Sequence, residues 1–338
     1  MNSTLPTAEA LRTALAGLLD GLPPKQATQA VERLIASYRG TTPTDAPVLR
    51  DRSDVAAYAA YRMPATFEAV RSVLAALRDA APDWTPVTHT DIGGGTGAAS
   101  WAVAEAWPAG PASTVLDWAE PALALGRELA AASDSPALRA TDWQRARIGP
   151  ALRIESTDLV TISYVLKELT PEARASVVAE AARTAQAVVV VEPGTPDGYR
   201  RVIEARDRLI AAGLRVAAPC PHSGACPITA LNEEGGSDWC HFSARVSRSS
   251  LHRQVKGGSL AYEDEKFSYV AAVRFDADPV AARIVRRPQI RKGMVQLELC
   301  TTSDGLARET VTKKRHGDLY RAARDIDWGD AWPPPAEV

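Results

Sequence analysis

The chain of 338 residues is 46% hydrophobic and 24% charged, ordinary for a soluble globular protein, and its length suggests one large domain with an appendage. No run of about 18 apolar residues occurs, which excludes a membrane-spanning helix. The net charge of -2 is unevenly spread: residues 241–315 hold 15 Lys/Arg against 8 Asp/Glu, a local +7, which leaves -9 for the remainder. A basic second half of this kind points to a polyanionic partner.

Residues 1–80 read as a helical region, with helices near 7–20, 25–38 and 52–80 separated by Pro23-Pro24 and the Thr/Pro stretch 41–47. The N-terminus holds Glu9, Asp20 and a single base, Arg12, and lacks the charge order of a secretory or transit peptide. The expected location is cytoplasmic. From Val87 short apolar runs (87–92, 113–118, 137–142, 158–166, 187–192, 214–219) alternate with helical patterns (97–107, 120–131, 171–183, 197–212). That alternation predicts an α/β fold, a parallel sheet wound with helices on both faces. This domain would span 81–279, interrupted by a cysteine-rich insertion at 219–262, with a further strand at 267–275. Residues 280–330 read as a basic, β-rich appendage whose 280–315 stretch has no helical pattern.

The first strand ends in Asp91-Ile92-Gly93-Gly94-Gly95-Thr96-Gly97 and runs directly into a helix. Glycines allow a tight turn and close approach to a ligand, and a helix N-terminus presents unpaired N–H groups. The Gly93-x-Gly95-x-Gly97 spacing behind an acid resembles the first motif of S-adenosylmethionine-dependent methyltransferases. This predicts a Rossmann-like class I methyltransferase fold. Asp117, about 20 residues on, is a candidate for the ribose hydroxyls. Trp118 could lie against the adenine, and Asp142, read as ending the third run, could lie near its amine. After the fourth strand the chain has Ser163-Tyr164-Val165-Leu166-Lys167-Glu168 where base-methylating enzymes carry an N/D-P-P-Y loop. No catalytic base is evident.

Cys220, Cys226, Cys240 and Cys300 are the chain's four cysteines, the first three within one Gly/Pro/Ser-rich loop, and Cys220 and Cys226 each precede a proline. Four thiolates suit tetrahedral zinc or an iron–sulfur cluster, and spacing alone leaves both open. Buried inert thiols and disulfides are the bland alternatives. His222 and His241 flank the cysteines.

The segments CPHSGACP, DWCHFSARVSRSSLHRQVKGGSLAYEDEKFSYVA and RRPQIRKGMVQLELC resemble the methyltransferase-like small-ribosomal-subunit assembly factors of mitochondria and their bacterial relatives, over roughly residues 50–330. The resemblance implies a maturation factor of the small ribosomal subunit that binds its rRNA. It also implies a [4Fe-4S] cluster on Cys220, Cys226, Cys240 and Cys300, and S-adenosylmethionine as a second cofactor. An active rRNA methyltransferase is the second reading, and a small-molecule methyltransferase with a zinc-stabilised cap the third.

Candidate phosphate contacts are Arg245, Arg248, Arg253, Lys256, Arg286, Arg287, Arg291, Lys292, Lys313, Lys314 and Arg315. Trp239, Phe242, Tyr262 and Phe267 are candidates to stack on unpaired bases. The acidic run Glu263-Asp264-Glu265 would repel phosphate and is expected to be an internally paired or protein-facing edge.

Overall fold

A computed structural model describes residues 7–19, 28, 29, 31, 32, 52–248, 260–303 and 305–334. The helix expected at 25–38 lies largely outside them, as do Arg253 and Lys256. Among the described residues, helices α1 (Thr7–Leu19) and α2 (Arg52–Ala80) precede the sheet. They are not a separate unit. Leu11, Leu15, Phe67, Val70 and Leu74 bury themselves in the same core as the residues on one face of the large sheet.

The large sheet is built from β1 (Thr88–Ile92), β2 (Ala112–Asp117), β3 (Asp142–Arg145), β4 (Thr157–Ser163), β5 (Ala185–Pro193), β6 (Arg215–Ala218), β7 (Phe242–Ser247) and β8 (Tyr262–Val273). Its order is β3-β2-β1-β4-β5-β8-β6. The first five strands are parallel, whereas β8 runs antiparallel between β5 and β6. In β5 the run Ala187-Val188-Val189-Val190-Val191 is wholly buried, as expected of a central parallel strand covered on both faces.

Helices α3 (Ala98–Ala106), α4 (Glu120–Ala131), α5 (Pro136–Arg139), α6 (Pro171–Thr184) and α7 (Pro196–Ala211) connect these strands. The starts of α6 and α7 are written in the sequence. Thr170 and Thr195 accept hydrogen bonds from the backbone N–H of Ala173 (3.2 Å) and Gly198 (3.1 Å), each with proline at the first helical position.

The third strand departs from expectation. Residues 136–139 form a helical turn capped by Ser135, and the strand begins, instead of ending, at Asp142. The cysteine region is also more ordered than a loop: it contains α8 (Pro227–Glu233) and β7, which pairs with the early half of β8. That half carries the acidic run, so β8 starts five residues before the Phe267 expected to open it.

The appendage is a five-stranded antiparallel sheet of β9 (Ala282–Ile284), β10 (Gln289–Arg291), β11 (Met294–Thr301), β12 (Gly305–Thr312) and β13 (Ala331–Trp332). It also holds a helix, α9 (Lys313–Asp325), whose first three residues fall within the 280–315 stretch read as having no helical pattern. Ile284, Val295, Leu297, Val311, Tyr320 and Trp332 give it a core of its own.

Candidate functional site

The glycine turn sits at the C-terminal edge of β1. Gly93, Gly95 and Gly97 all have positive φ, where a side chain is strained, and a Cβ on Gly94 would come within 2.3 Å of the Asp91 carboxylate. Asp91 is fully buried. Its Oδ1 accepts from the Thr161 hydroxyl (2.8 Å), and its Oδ2 has no partner among the described residues. Burial pushes its pKa up to about 7; Thr161 works against this and Asp117 adds to it. A buried carboxylate oxygen without a donor among the described residues, beside a half-buried glycine turn, fits a ligand that brings a positively charged amino group.

Asp117, at the end of β2, accepts from the backbone N–H of Gly95 (2.9 Å) and Ala119 (2.8 Å). It therefore shapes the glycine turn, and each carboxylate oxygen keeps a lone pair for a hydroxyl. Trp118 is exposed, with the Arg145 guanidinium over its ring at 5.3 Å. Asp142 does not join them. It pairs in register with Thr114, three residues before the Asp117↔Arg145 pair, about 10 Å back along the strand. Its carboxylate accepts from Gln144 (2.6 Å). The buried neighbour Trp143 fills the floor under Gly97 and Gly126 instead.

Beyond β4, Tyr164 adopts φ +60°, and its hydroxyl donates to Glu265 (3.1 Å) on β8. Arg62 of α2 pairs with the same carboxylate at 3.2 Å and lies over the Tyr164 ring. Glu192, fully buried, pairs with Arg201 (2.6 Å) and accepts from the Leu166 backbone N–H (3.1 Å), so the end of β5 anchors the 163–168 loop.

The cysteines form the second site. Cys220 follows β6, Cys226 caps α8, Cys240 precedes β7, and Cys300 lies on β11 of the appendage. All four are free and line one pocket between the large sheet and the appendage. The other walls include Tyr199, Arg206, Phe242, Tyr269 and Arg283. Among the described residues no three ligating side chains are gathered closely enough to hold a single metal ion as they stand.

Burial raises the thiol pKa values of Cys220, Cys240 and Cys300, the last to about 12, and neighbouring cysteines add to each shift. Arginine side chains oppose it: Arg206 and Arg283 at Cys220, Arg286 at Cys240 and Arg206 at Cys300. The donor set is thus four thiols surrounded by cations, chemistry that fits a thiolate-bound metal centre, since binding a metal removes the thiol protons. Tyr199 Oη lies 3.2 Å from Cys226 Sγ, and His222 Nε2 lies 3.8 Å from Cys300 Sγ. His241 is packed between Trp239 and Trp328 and contacts the Trp239 carbonyl.

The candidate phosphate contacts divide. On the β7–β8 hairpin, Arg245 pairs with Asp264 and Arg248 with Glu263, both at 3.3 Å, so the acidic run is an internally paired edge. Arg286 turns toward Asp238 and the Trp239 carbonyl, beside the cysteines. Arg287, Arg291, Lys292, Lys313, Lys314 and Arg315 are exposed and make no ion pair among the described residues. Met294 pairs with Thr312, and the Lys313 N–H donates to the Gly293 carbonyl (2.9 Å). The β10–β11 turn and the start of α9 therefore adjoin, and Arg291, Lys292, Lys313, Lys314 and Arg315 share one end of the small sheet.

Of the stacking candidates, Phe242 and Phe267 are core residues. Tyr262 is exposed under Arg245, and Trp239 is tied through its ring N–H to the Gly194 carbonyl (3.0 Å).

Sequence reasoning missed Arg206 and Arg283. The signal was present for Arg206: it falls on the buried stripe of α7 with Tyr199, Val202 and Leu209. It also missed the Arg62–Glu265–Tyr164 cluster, which joins residues about 200 positions apart and leaves no local trace.

A sheet of this order with one reversed strand and a glycine turn after β1 defines a class I methyltransferase-like protein. Residues 52–333 match the family described as Mitochondrial small ribosomal subunit Rsm22, and the chain belongs to that family. It is 27% identical over 304 residues to the human ribosome assembly protein METTL17, mitochondrial, covering 82% of this chain and 62% of that protein. It is 24% identical over 185 residues to the Saccharomyces cerevisiae ribosome assembly protein RSM22, mitochondrial, covering 37% of this chain and 30% of that one. The chain thus spans less than two thirds of the length of these relatives.

The solved magnesium protoporphyrin IX methyltransferase of Synechocystis PCC 6803 with bound SAM superposes with a TM-score of 0.41 at 13% identity, over 81% of this chain and 100% of that one; likeness at this level identifies no ligand or reaction. No helix among the described residues is long and apolar enough to cross a membrane. The relatives are named as mitochondrial, and the expected cytoplasmic location finds no support in them.

Proposed function

We propose that this chain is an assembly factor of the small ribosomal subunit that binds rRNA through the exposed basic end of its appendage. A [4Fe-4S] cluster on Cys220, Cys226, Cys240 and Cys300 would fasten that appendage to the methyltransferase-like sheet. The observation that carries the reading is the convergence of four free thiols, three from the sheet domain and one from the appendage, on one cavity.

Linking Cys220 to Cys300 closes a loop of 80 residues. In the chain-entropy picture that restriction is worth about 4 kcal/mol before metal–sulfur bonding is counted. Zinc would draw its four sulfurs to about 2.3 Å from itself, whereas a four-iron centre spreads them over separate iron atoms, so metal and sulfide analysis separates the two. The relatives' names, which call them ribosome assembly proteins, support the subunit as the partner.

The experiment is anaerobic purification with iron, sulfide and zinc analysis, followed by crosslinking to small-subunit rRNA. The reading expects about four iron and four sulfide per chain and crosslinks within the appendage. A colourless, zinc-loaded chain that fails to crosslink would overturn it.

A second reading, active rRNA methylation, is favoured by the partnerless Asp91 oxygen, which suits the amino group of S-adenosylmethionine. When bound, that cofactor supplies a transferable methyl group. Asp91 would orient its amino end, Asp117 its ribose and Trp118 its adenine. Tyr164, which follows β4, has its hydroxyl already committed to Glu265, which favours binding without transfer. Methyl incorporation into small-subunit rRNA, lost on Asp91→Ala, would establish turnover.

A further inference from the structure

Two guanidinium groups are buried in the wall of the cysteine cavity, and neither has a matching buried anion among the described residues. Arg206, on α7, is 2% exposed. It donates to the carbonyls of His222 (3.2 Å) and Gly224, and its Nε is buried without a partner. Its one ion-pair partner among the described residues is its neighbour Asp207, whose own side chain is 63% exposed. Arg283, on β9, is 5% exposed and lies directly across the strand pair from Cys300. Its Nε donates to the Pro219 carbonyl (3.0 Å) and a terminal nitrogen to the Gly329 carbonyl (2.8 Å), and no carboxylate pairs with it among the described residues.

A buried lysine could escape by losing its proton. Arginine cannot, so its charge persists and must be balanced where it sits. Backbone carbonyls supply partial charge only, and leaving two cations opposite neutral thiols is a costly arrangement. The balance is restored if the cavity holds an anion. A metal centre bound by four thiolates is one: its sulfurs carry more negative charge than the metal cancels.

We infer that Arg206 and Arg283 are positioning residues that neutralise an anionic, thiolate-ligated centre, retain it in the cavity and favour its reduced form. The inference rests on the iron–sulfur reading above and adds to it which residues set the centre's stability and potential. Reduction adds an electron to an already negative group, so nearby fixed cations stabilise the reduced state and raise the midpoint. Removing one cation acts oppositely on both properties.

The test uses the full chain purified anaerobically as wild type, Arg206→Met, Arg206→Lys and Arg283→Met, with Arg215→Met as a control. Arg215 is an exposed arginine, paired with Asp276, that does not line the cysteine cavity. Iron and sulfide content, the rate of iron release to a chelator, and the midpoint in a dithionite titration followed by electron paramagnetic resonance are measured. Circular dichroism checks folding.

Each Met variant should lose iron about tenfold faster, the scale of one charge-assisted hydrogen bond, and show a more negative midpoint. Arg206→Lys should restore most of the midpoint while losing part of the retention, because it keeps the charge but not the fork that grips His222 and Gly224. The control should match wild type. If a Met variant fails to fold, Arg206→Gln and Arg283→Gln, which keep an amide donor and remove the charge, take its place.

A loaded wild type whose folded variants keep its midpoint and release rate overturns the inference alone. A wild type that holds neither iron nor sulfide overturns the iron–sulfur reading, and is seen before any variant is made.

Discussion

The chain carries two basic regions of similar sequence character, and folding treats them oppositely. On the β7–β8 hairpin Arg245 stands across from Asp264 and Arg248 reaches Glu263 from the end of β7, and each pair neutralises its charge. At the end of the small sheet, Arg291, Lys292, Lys313, Lys314 and Arg315 come from two separate turns and face solvent without carboxylate partners among the described residues. A count of positive charge therefore overstates the first region as a phosphate-binding surface and understates the second. A polyanion senses local potential, which pairing cancels and convergence reinforces.

The contrast can be broken most severely at Cys300. Cys300→Ser removes the appendage's contribution to the cysteine site, and crosslinking of the basic end to rRNA should fall by about tenfold or more, together with loss of bound iron. If both survive in the variant, the cysteine site does not fasten the appendage.

A charge reversal comes next. The triple variant Lys313→Glu, Lys314→Glu, Arg315→Glu should weaken rRNA binding and lower the slope of log affinity against log salt by about 2 to 3, one increment per lost phosphate contact. An unchanged slope would remove this surface from the interface.

The hairpin should be far less sensitive. Arg245→Ala should alter rRNA affinity by no more than about twofold and cost at most about 1 kcal/mol in a denaturant titration, since its pair with Asp264 is largely exposed. Asp264→Asn sharpens the comparison, because it frees Arg245 and should strengthen binding slightly.

The smallest effect is expected at Asp91, away from both basic regions. Burial raises its folded-state pKa from 3.8 to about 7, so the folded chain holds this proton more tightly than the unfolded one. Its stabilising contribution is complete below the unfolded pKa and is lost as pH rises through about 7. Asp91→Asn should shrink the fall in melting temperature between about pH 4 and 7 by a few °C and leave rRNA affinity unaltered. In the parent chain, S-adenosylmethionine binding measured by calorimetry should tighten over the same interval, as the carboxylate that receives its amino group ionises.

Much of the sheet was legible because its signals are local. The valine run of β5, the helical patterns at 171–183 and 197–212, and the glycine turn are each local, and the structure places them as expected. The third strand was misplaced because Pro136–Arg139 is apolar enough to imitate a strand, while Ser135 and Pro136 start a helical turn. The helix at Lys313 was missed because its first turn is basic and polar, and its apolar anchors Tyr320 and Ala323 come late.

From the sequence alone came the nature of each centre: which turn can hold a cofactor, which four side chains can give up protons to a metal, and which half of the chain is positive. Chemistry of that sort belongs to residue types and short spacings. Tertiary structure decided which of those groups act together. It brought Cys300 to the other three cysteines, set Arg206 and Arg283 beside them, cancelled the arginines of one hairpin and gathered the cations of the small sheet. Proximity between segments tens of residues apart depends on how sheets pair and cores close, and no local pattern encodes it.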